Sequence, residues 1–454
     1  MSPATETTTK RRRRIRLWHV PVVVVVVLVA AVLGLRWHWK RGFRKRIAAV
    51  AAAGYPVTLE ELDAWYEAPQ SGENAADWVL AAASYLKKPS DEEHQALWRI
   101  VGSGGNRLGR REPIDEDTKA LLVAHVRDNA KALELLGRAA GIEESRYPVR
   151  YSDGLRDAFL PHLTEVQEGC LLLCLKAVLC GETGDGGGAT RALESAFGVA
   201  GTLGREPMYV SQVVCNWCKV RAVAALARVL CVTELTAEQL ERLGTVLDEA
   251  YDPDGMVRGL AGMQCLCLEV FERPESVDPD LLRDLPAPVL LDAYCALGLA
   301  AREGILFLTM TRAYIEASRL PMSERDEAFE AIGERARACQ KRCFLLARLW
   351  GGDGLRPFDV TCLAHLRTAA TALVVERYRL GTGQLPESLA ELVPDYLESI
   401  PVDPFDGAAL RYKRLEGGFV VYSVGEDGVD DGGKERPPGE EEGETYDIAF
   451  AVLR

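Results

Sequence analysis

The residues best spaced for chemistry are Cys215-Asn216-Trp217-Cys218, a CxxC within an apolar run. On a helix this spacing sets both thiols on one face, the arrangement used by redox and zinc sites. A four-ligand zinc site needs a second such pair, and the sequence has none in register. The six histidines (His19, His38, His94, His125, His162 and His365) all lie far from it in sequence. Two buried core thiols are therefore the expectation. Cys265 and Cys267 would point to opposite sides of a helix, which excludes a shared metal. All twelve cysteines fall in one helical stretch, and pairing depends on the compartment.

Gly181–Gly188 has the glycine density of a phosphate loop. A Walker loop needs Lys and Ser/Thr after its last glycine, and here Gly188 is followed by Ala189. It reads as a connector between helices. No GxSxG, HExxH or dinucleotide fingerprint occurs. The many carboxylates read as solvated helix faces. An active site assembled in space within the helical region, with His162 as a candidate member, is the enzyme alternative.

The elements that would carry these residues begin with Leu17–Leu35, nineteen residues with only His19 polar. At about 1.5 Å per residue this reaches close to the hydrocarbon thickness of a bilayer. Trp18, Trp37 and Trp39 sit at interface depths. An uncleaved transmembrane helix is expected rather than a signal peptide, since no small-x-small site precedes Arg36. It divides a basic tail (1–16) from a basic juxtamembrane linker (36–56). Six basic residues on each side leave the positive-inside rule undecided.

The chain has 54 Lys/Arg and 67 Asp/Glu. Residues 1–46 hold twelve of the basic residues and one of the acidic, so the rest carries 42 against 66, a charge of −24. So acidic a body is repelled by nucleic acid, which is excluded as a partner.

Residues 57–360 have helical periodicity almost throughout. Thr58…Glu61, Ser90…Glu93 and Thr236…Gln239 are capping boxes. Cys170–Cys180 is apolar on nearly every face, as expected of a central helix in a bundle or repeat-like array. From about Thr361 the pattern changes. Ala364–Leu380 reads as a helix stopped by Gly381 and Gly383, and Pro386–Leu392 as a short helix. Leu410–Arg414 and Phe419–Val424 read as a hairpin, and Ile448–Leu453 as a last strand with Ile448, Phe450 and Val452 on one face. The expected fold is mainly α: a transmembrane helix, a large helical domain, and a small C-terminal α+β domain (361–454) with one helix on a three-stranded antiparallel sheet.

This C-terminal segment resembles the globular domain of type II secretion major pseudopilins. The likeness is carried by Glu376–Leu380, Gly383-Gln384-Leu385-Pro386 with Leu389 and Leu392-Val393, Ile400-Pro401-Val402-Asp403-Pro404-Phe405-Asp406-Gly407 with Leu410 and Tyr412, Tyr422–Gly428, and Asp447-Ile448. It covers about a fifth of the chain. The family's leader, Gly-Phe cleavage site and early glutamate have no counterpart around Leu17. The whole chain is also similar to uncharacterised membrane-anchored proteins of planctomycete-type bacteria, which supplies no function.

The pseudopilin resemblance implies a calcium site formed by Asp427, Asp430, Asp431 and Asp447 with the Val424 carbonyl. Calcium takes six to eight oxygen ligands, and a glycine-rich acidic turn can supply them. The turn is longer and more acidic than the family implies, with Glu435, Glu440, Glu441, Glu442 and Glu444. The leading expectation is a single-pass, non-enzymatic binding or scaffold protein with a protein partner, its bulk outside the cytoplasmic membrane. A secretion-associated component and an enzyme are the alternatives.

Overall fold

The computed structural model describes residues 19–102, 107–154, 160–273, 288–341, 343–346, 355–435 and 446–454. The basic tail, Leu17, Trp18 and the glutamates from Glu440 to Glu444 lie outside the described residues. Fifteen α-helices and one three-stranded sheet are present among those described, so the protein is mainly α.

Helix α1 (His19–Ala52) is 34 residues long, about 50 Å at the helical rise. Its first half is long and apolar enough to cross a membrane, and Val22–Val29 project outward uncovered. Residues 36–52, expected as a linker, instead continue the same helix. Basic residues end the apolar run but are good helix formers, and packing holds the second half. Phe43 and Val50 are buried in a core shared with α11 (Gly255–Glu272), α13 (Leu299–Ala317) and α14 (Met322–Gln340).

The remaining helices form the larger core. They are α2 (Leu59–Trp65), α3 (Ala75–Tyr85), α4 (Asp91–Val101), α5 (Glu116–Asp128), α6 (Ala130–Ala139), α7 (His162–Glu182), α8 (Gly186–Gly201), α9 (Tyr209–Val232) and α10 (Ala237–Glu249). All three predicted capping boxes form, with Thr58, Ser90 and Thr236 each accepting from the backbone three residues on. α7 and α9 bury most of their length against neighbouring helices, which is why their apolar residues are spread over most faces. The Gly181–Gly188 connector closes α7 at Glu182 and opens α8 at Gly186, with Asp185 capping the Gly188 N–H at 2.8 Å. A short α12 (Pro288–Ala296) precedes α13.

The C-terminal unit is α15 (Phe358–Thr382), then strands β1 (Arg411–Leu415), β2 (Gly418–Ser423) and β3 (Ile448–Leu453), antiparallel in the order β1-β2-β3. α15 starts six residues before its sequence-predicted start at Ala364 and stops at Gly383, in the left-handed region at φ 78°. The expected helix at Pro386–Leu392 is a 3-10 turn, Leu389–Leu392. Phe419 and Val421 of β2 face Val452 and Phe450 of β3, and these four enter the main core with Leu366, Ala369 and Leu373 of α15. One core therefore runs unbroken from Leu62 to Val452. α15 also meets the length and apolarity of a membrane span, but two thirds of that window (67%) is buried as a core helix.

Candidate functional site

The acidic turn and the cleft beside it bring together most of the polar side chains singled out in the C-terminal unit. Their frame is Asp403, fully buried in the Pro401–Gly407 passage. Its carboxylate accepts from the Ser423 hydroxyl (2.8 Å), the Val424 N–H (3.0 Å), the Phe405 N–H (3.0 Å) and the Arg411 guanidinium (2.9 Å). Arg411 also pairs with Asp406 (2.5 Å) and Asp430 (3.2 Å). One buried carboxylate thus joins the Pro-x-Asp-Pro passage to the Tyr-Ser-Val-Gly end of β2. A buried charge is tolerated only when so partnered. Sequence reading quoted Asp403 but gave it no role; its signal was an aspartate locked between two prolines.

The turn beyond Val424 is shaped by left-handed glycines at 425, 428, 432 and 433. Asp427 accepts from its own Val429 N–H (3.0 Å) and Asp430 from Gly432 N–H (2.9 Å), the local turns aspartate favours. Gly433 folds back over the sheet, where a Cβ would lie 2.9 Å from Val420, and its N–H donates to Asp447 Oδ2 at 2.7 Å. Asp447 is only 5% exposed, and its Oδ1 has no hydrogen-bond partner among the described residues. Burial, joined by the charges of Asp430 and Asp431, pushes its carboxyl above the ordinary range against the pull of the Gly433 bond. Val424 is buried behind Asp403. The turn thus gathers Asp430, Asp431 and Asp447 within electrostatic reach. Among the described residues no three His, Cys, Asp or Glu side chains converge tightly enough to hold a metal as they stand.

Asp447 also borders a cleft of about 360 Å³ between the helical body and β3. Arg107 and Arg110, after α4, both pair with Glu435, and Arg110 donates further to the Ala449 carbonyl (3.2 Å). Burial alone would raise the Glu435 pKa, but Arg110 and Arg107 outweigh it and hold the carboxyl below its usual range. Arg228 bonds the Gly109 and Glu112 carbonyls (3.1 and 2.9 Å) and Glu182 (2.9 Å). His365 of α15 faces the same cleft. Burial, then the charge of Arg110, depress its pKa to about 4, so it is neutral at physiological pH. Arg107 and Arg110 share Glu435 and Arg228 meets Glu182, an arrangement that suits docking the turn to the body better than proton transfer near neutrality.

The other polar constellation holds His162, the member named for the enzyme alternative. Its Nε2 lies 2.9 Å from Glu206 Oε2, Tyr147 stacks on its ring at 4.2 Å, and Tyr151 donates to Glu206 at 3.3 Å. His162 and Glu206 are 3% and 0% exposed, which seals them from any substrate. The network is an internal brace that a sequence pattern could not reveal, since its central carboxylate, Glu206, lies 44 residues from His162. Both CxxC thiols are buried on α9, Cys218 beside Cys170 of α7 and Cys215 beside Lys219, and no cysteine is disulfide-bonded.

No family model matches the chain, and neither does any curated protein or solved structure with which it was compared.

Proposed function

We propose that this chain is a membrane-tethered, non-enzymatic binding or scaffold protein. In this reading α1 fixes the helical body at the outer face of the cytoplasmic membrane, and the body offers the surface that a protein partner meets. The observation that carries the reading is the continuity of α1: the apolar half runs without a break into a half whose Phe43 and Val50 are core residues. A signal peptide has no need of such a joint. A rigid mount sets the height and orientation of whatever the body holds. The C-terminal unit would be a docking module similar to a pseudopilin globular domain. The Asp403 bonds to Ser423 and Val424, which tie two of the resembling blocks together, favour that likeness. Crosslinking in native membranes followed by affinity capture of the full chain tests the reading. A stoichiometric protein partner supports it, and recovery of the chain alone counts against it. Recovery of secretion ATPase or channel subunits would select the secretion-associated alternative.

A second reading concerns the acidic turn, where the unpartnered Asp447 Oδ1 and the nearby Asp430 and Asp431 favour a calcium ion as a stabiliser. Asp430 would have to share its carboxylate with Arg411 or release it.

A further inference from the structure

A cleft of about 810 Å³ lies away from the C-terminal unit, between the second half of α1 and α13. It opens at His38, one turn beyond the apolar span, and follows α1 to Ala53, about 22 Å along the helix. Val50, Ile305, Leu308 and Ile315 give it an apolar wall.

Its rim is basic on a body that is otherwise strongly acidic. Lys45 and Arg46 carry no ion pair among the described residues, and Arg312 meets only Glu316 (2.7 Å), the single acidic residue of the rim. Arg319 at the far end donates to the Tyr55 hydroxyl. A second observation comes from the cleft wall. Gln264 is 1% exposed; its Oε1 accepts from the Thr311 hydroxyl at 2.7 Å, and its Nε2 has no partner. Turning the amide over would leave the oxygen unpartnered instead. A buried amide in this position costs free energy until something in the cleft bonds it.

We infer that the α1–α13 cleft binds an anionic phospholipid, with its acyl chains along the apolar wall, its phosphate between Lys45, Arg46 and Arg312, and an ester carbonyl accepting from Gln264. The acyl chains fit the apolar wall, the phosphate fits Lys45 and Arg46, which have no ion pair among the described residues, with Arg312 shared between it and Glu316, and the ester supplies the acceptor the amide lacks. The position continues the membrane surface, since Gly298, just before α13, packs on the Arg36 backbone at the end of the span. The inference rests on the membrane anchoring proposed above.

The full chain, reconstituted in phosphatidylcholine nanodiscs, would be given either phosphatidylglycerol or phosphatidylcholine bearing a photoreactive acyl chain. After irradiation the labelled peptides are mapped. The expected result is phosphatidylglycerol label on Ala49–Ala53 and on α13 around Leu308, as well as in the span. Reversing Lys45 and Arg46 to Glu should lower the cleft label by about fivefold per charge, leaving the span label unchanged. Ala49→Trp, which fills the cleft without altering charge, should remove it as well. Label confined to residues 19–35 overturns the inference and leaves the anchor in place. Equal cleft label from both lipids overturns the choice of an anionic lipid. No label anywhere overturns the anchoring itself, and the inference with it.

Discussion

Phe43 of α1 lies directly over Gly304 of α13, so close that a Cβ on Gly304 would fall 2.5 Å from the Phe43 ring and 3.0 Å from Phe271. This contact, with Gly42 facing Ile305 one residue away, is what makes α1 and the body one rigid piece. Gly304→Leu should destabilise the joint by about 1–3 kcal/mol through overpacking. The expected signs are a lower Tm in detergent and faster proteolysis near Ala53. Phe43→Ala in the same chain should restore part of the loss, a coupling that a double-mutant cycle measures. Additive losses would show that the two residues do not share a joint.

Asp403 is the clasp of the C-terminal unit. Asp403→Ala would leave Ser423, Val424 and the Arg411 guanidinium without their common acceptor inside the fold. Removing one partner of a buried, hydrogen-bonded ion pair costs about 3–5 kcal/mol. The C-terminal unit shares its core with the helical body, so the expected outcome is a fall in the Tm of the whole chain rather than local fraying. Asp403→Asn, which keeps one acceptor, should lose less. Hydrogen exchange across β1 and β2 would follow both.

These cases mark how far the sequence was legible. The capping boxes at Thr58, Ser90 and Thr236 form as written because a cap is decided within four residues. The alternation of Phe450 and Val452 placed the inner face of β3 correctly for the same reason. The end of α1 was missed because hydropathy stops at Leu35, whereas the helix is held to Ala52 by α13, some 260 residues later. The Asp427, Asp430, Asp431 and Asp447 carboxylates were singled out through the pseudopilin resemblance. Their real use was hidden, because Arg411 and the backbone of Val429 and Gly432 compete for them. The Arg110–Glu435 pair, 325 residues apart, has no sequence signal at all.

Asp447 gives the calcium reading a direct test. If the ion binds, calcium should raise the Tm of the full chain and a chelator should lower it. A concentration one hundred times Kd contributes about 2.7 kcal/mol. Asp447→Asn should abolish the response. Without calcium the same variant should be more stable than the parent at neutral pH, because burial disfavours the charged carboxylate. A Tm indifferent to both calcium and chelator ends the metal reading.

Glu435 should stabilise the docking of the acidic turn in a pH-dependent way. Its pKa is held down in the folded chain, so its contribution is present above the ordinary carboxylate range. That contribution is lost as pH falls through the folded value. Glu435→Gln at neutral pH removes the carboxylate that Arg110 and Arg107 share. The loss should be roughly 2 kcal/mol, less than for a fully enclosed pair because the partners are 15% and 20% exposed. In acid the difference between variant and parent should vanish. A constant difference across pH would mean that charge is not what Glu435 contributes.

Asp326 of α14 predicts the opposite slope. Burial, then the negative charges of Glu426 and Asp359, raise its pKa from 3.8 to about 6. Folding therefore favours the protonated form, and the stability this group lends is complete below 3.8 and lost as pH rises through about 6. A full shift of this size corresponds to about 3 kcal/mol, and solvent screening at this half-buried position reduces it to about 1 kcal/mol. Asp326→Asn removes the charge that folding resists. Its Tm should exceed that of the parent at neutral pH and match it in acid below the ordinary carboxylate range. A variant less stable than the parent at neutral pH would show instead that the Asp326 charge is held by a favourable partner.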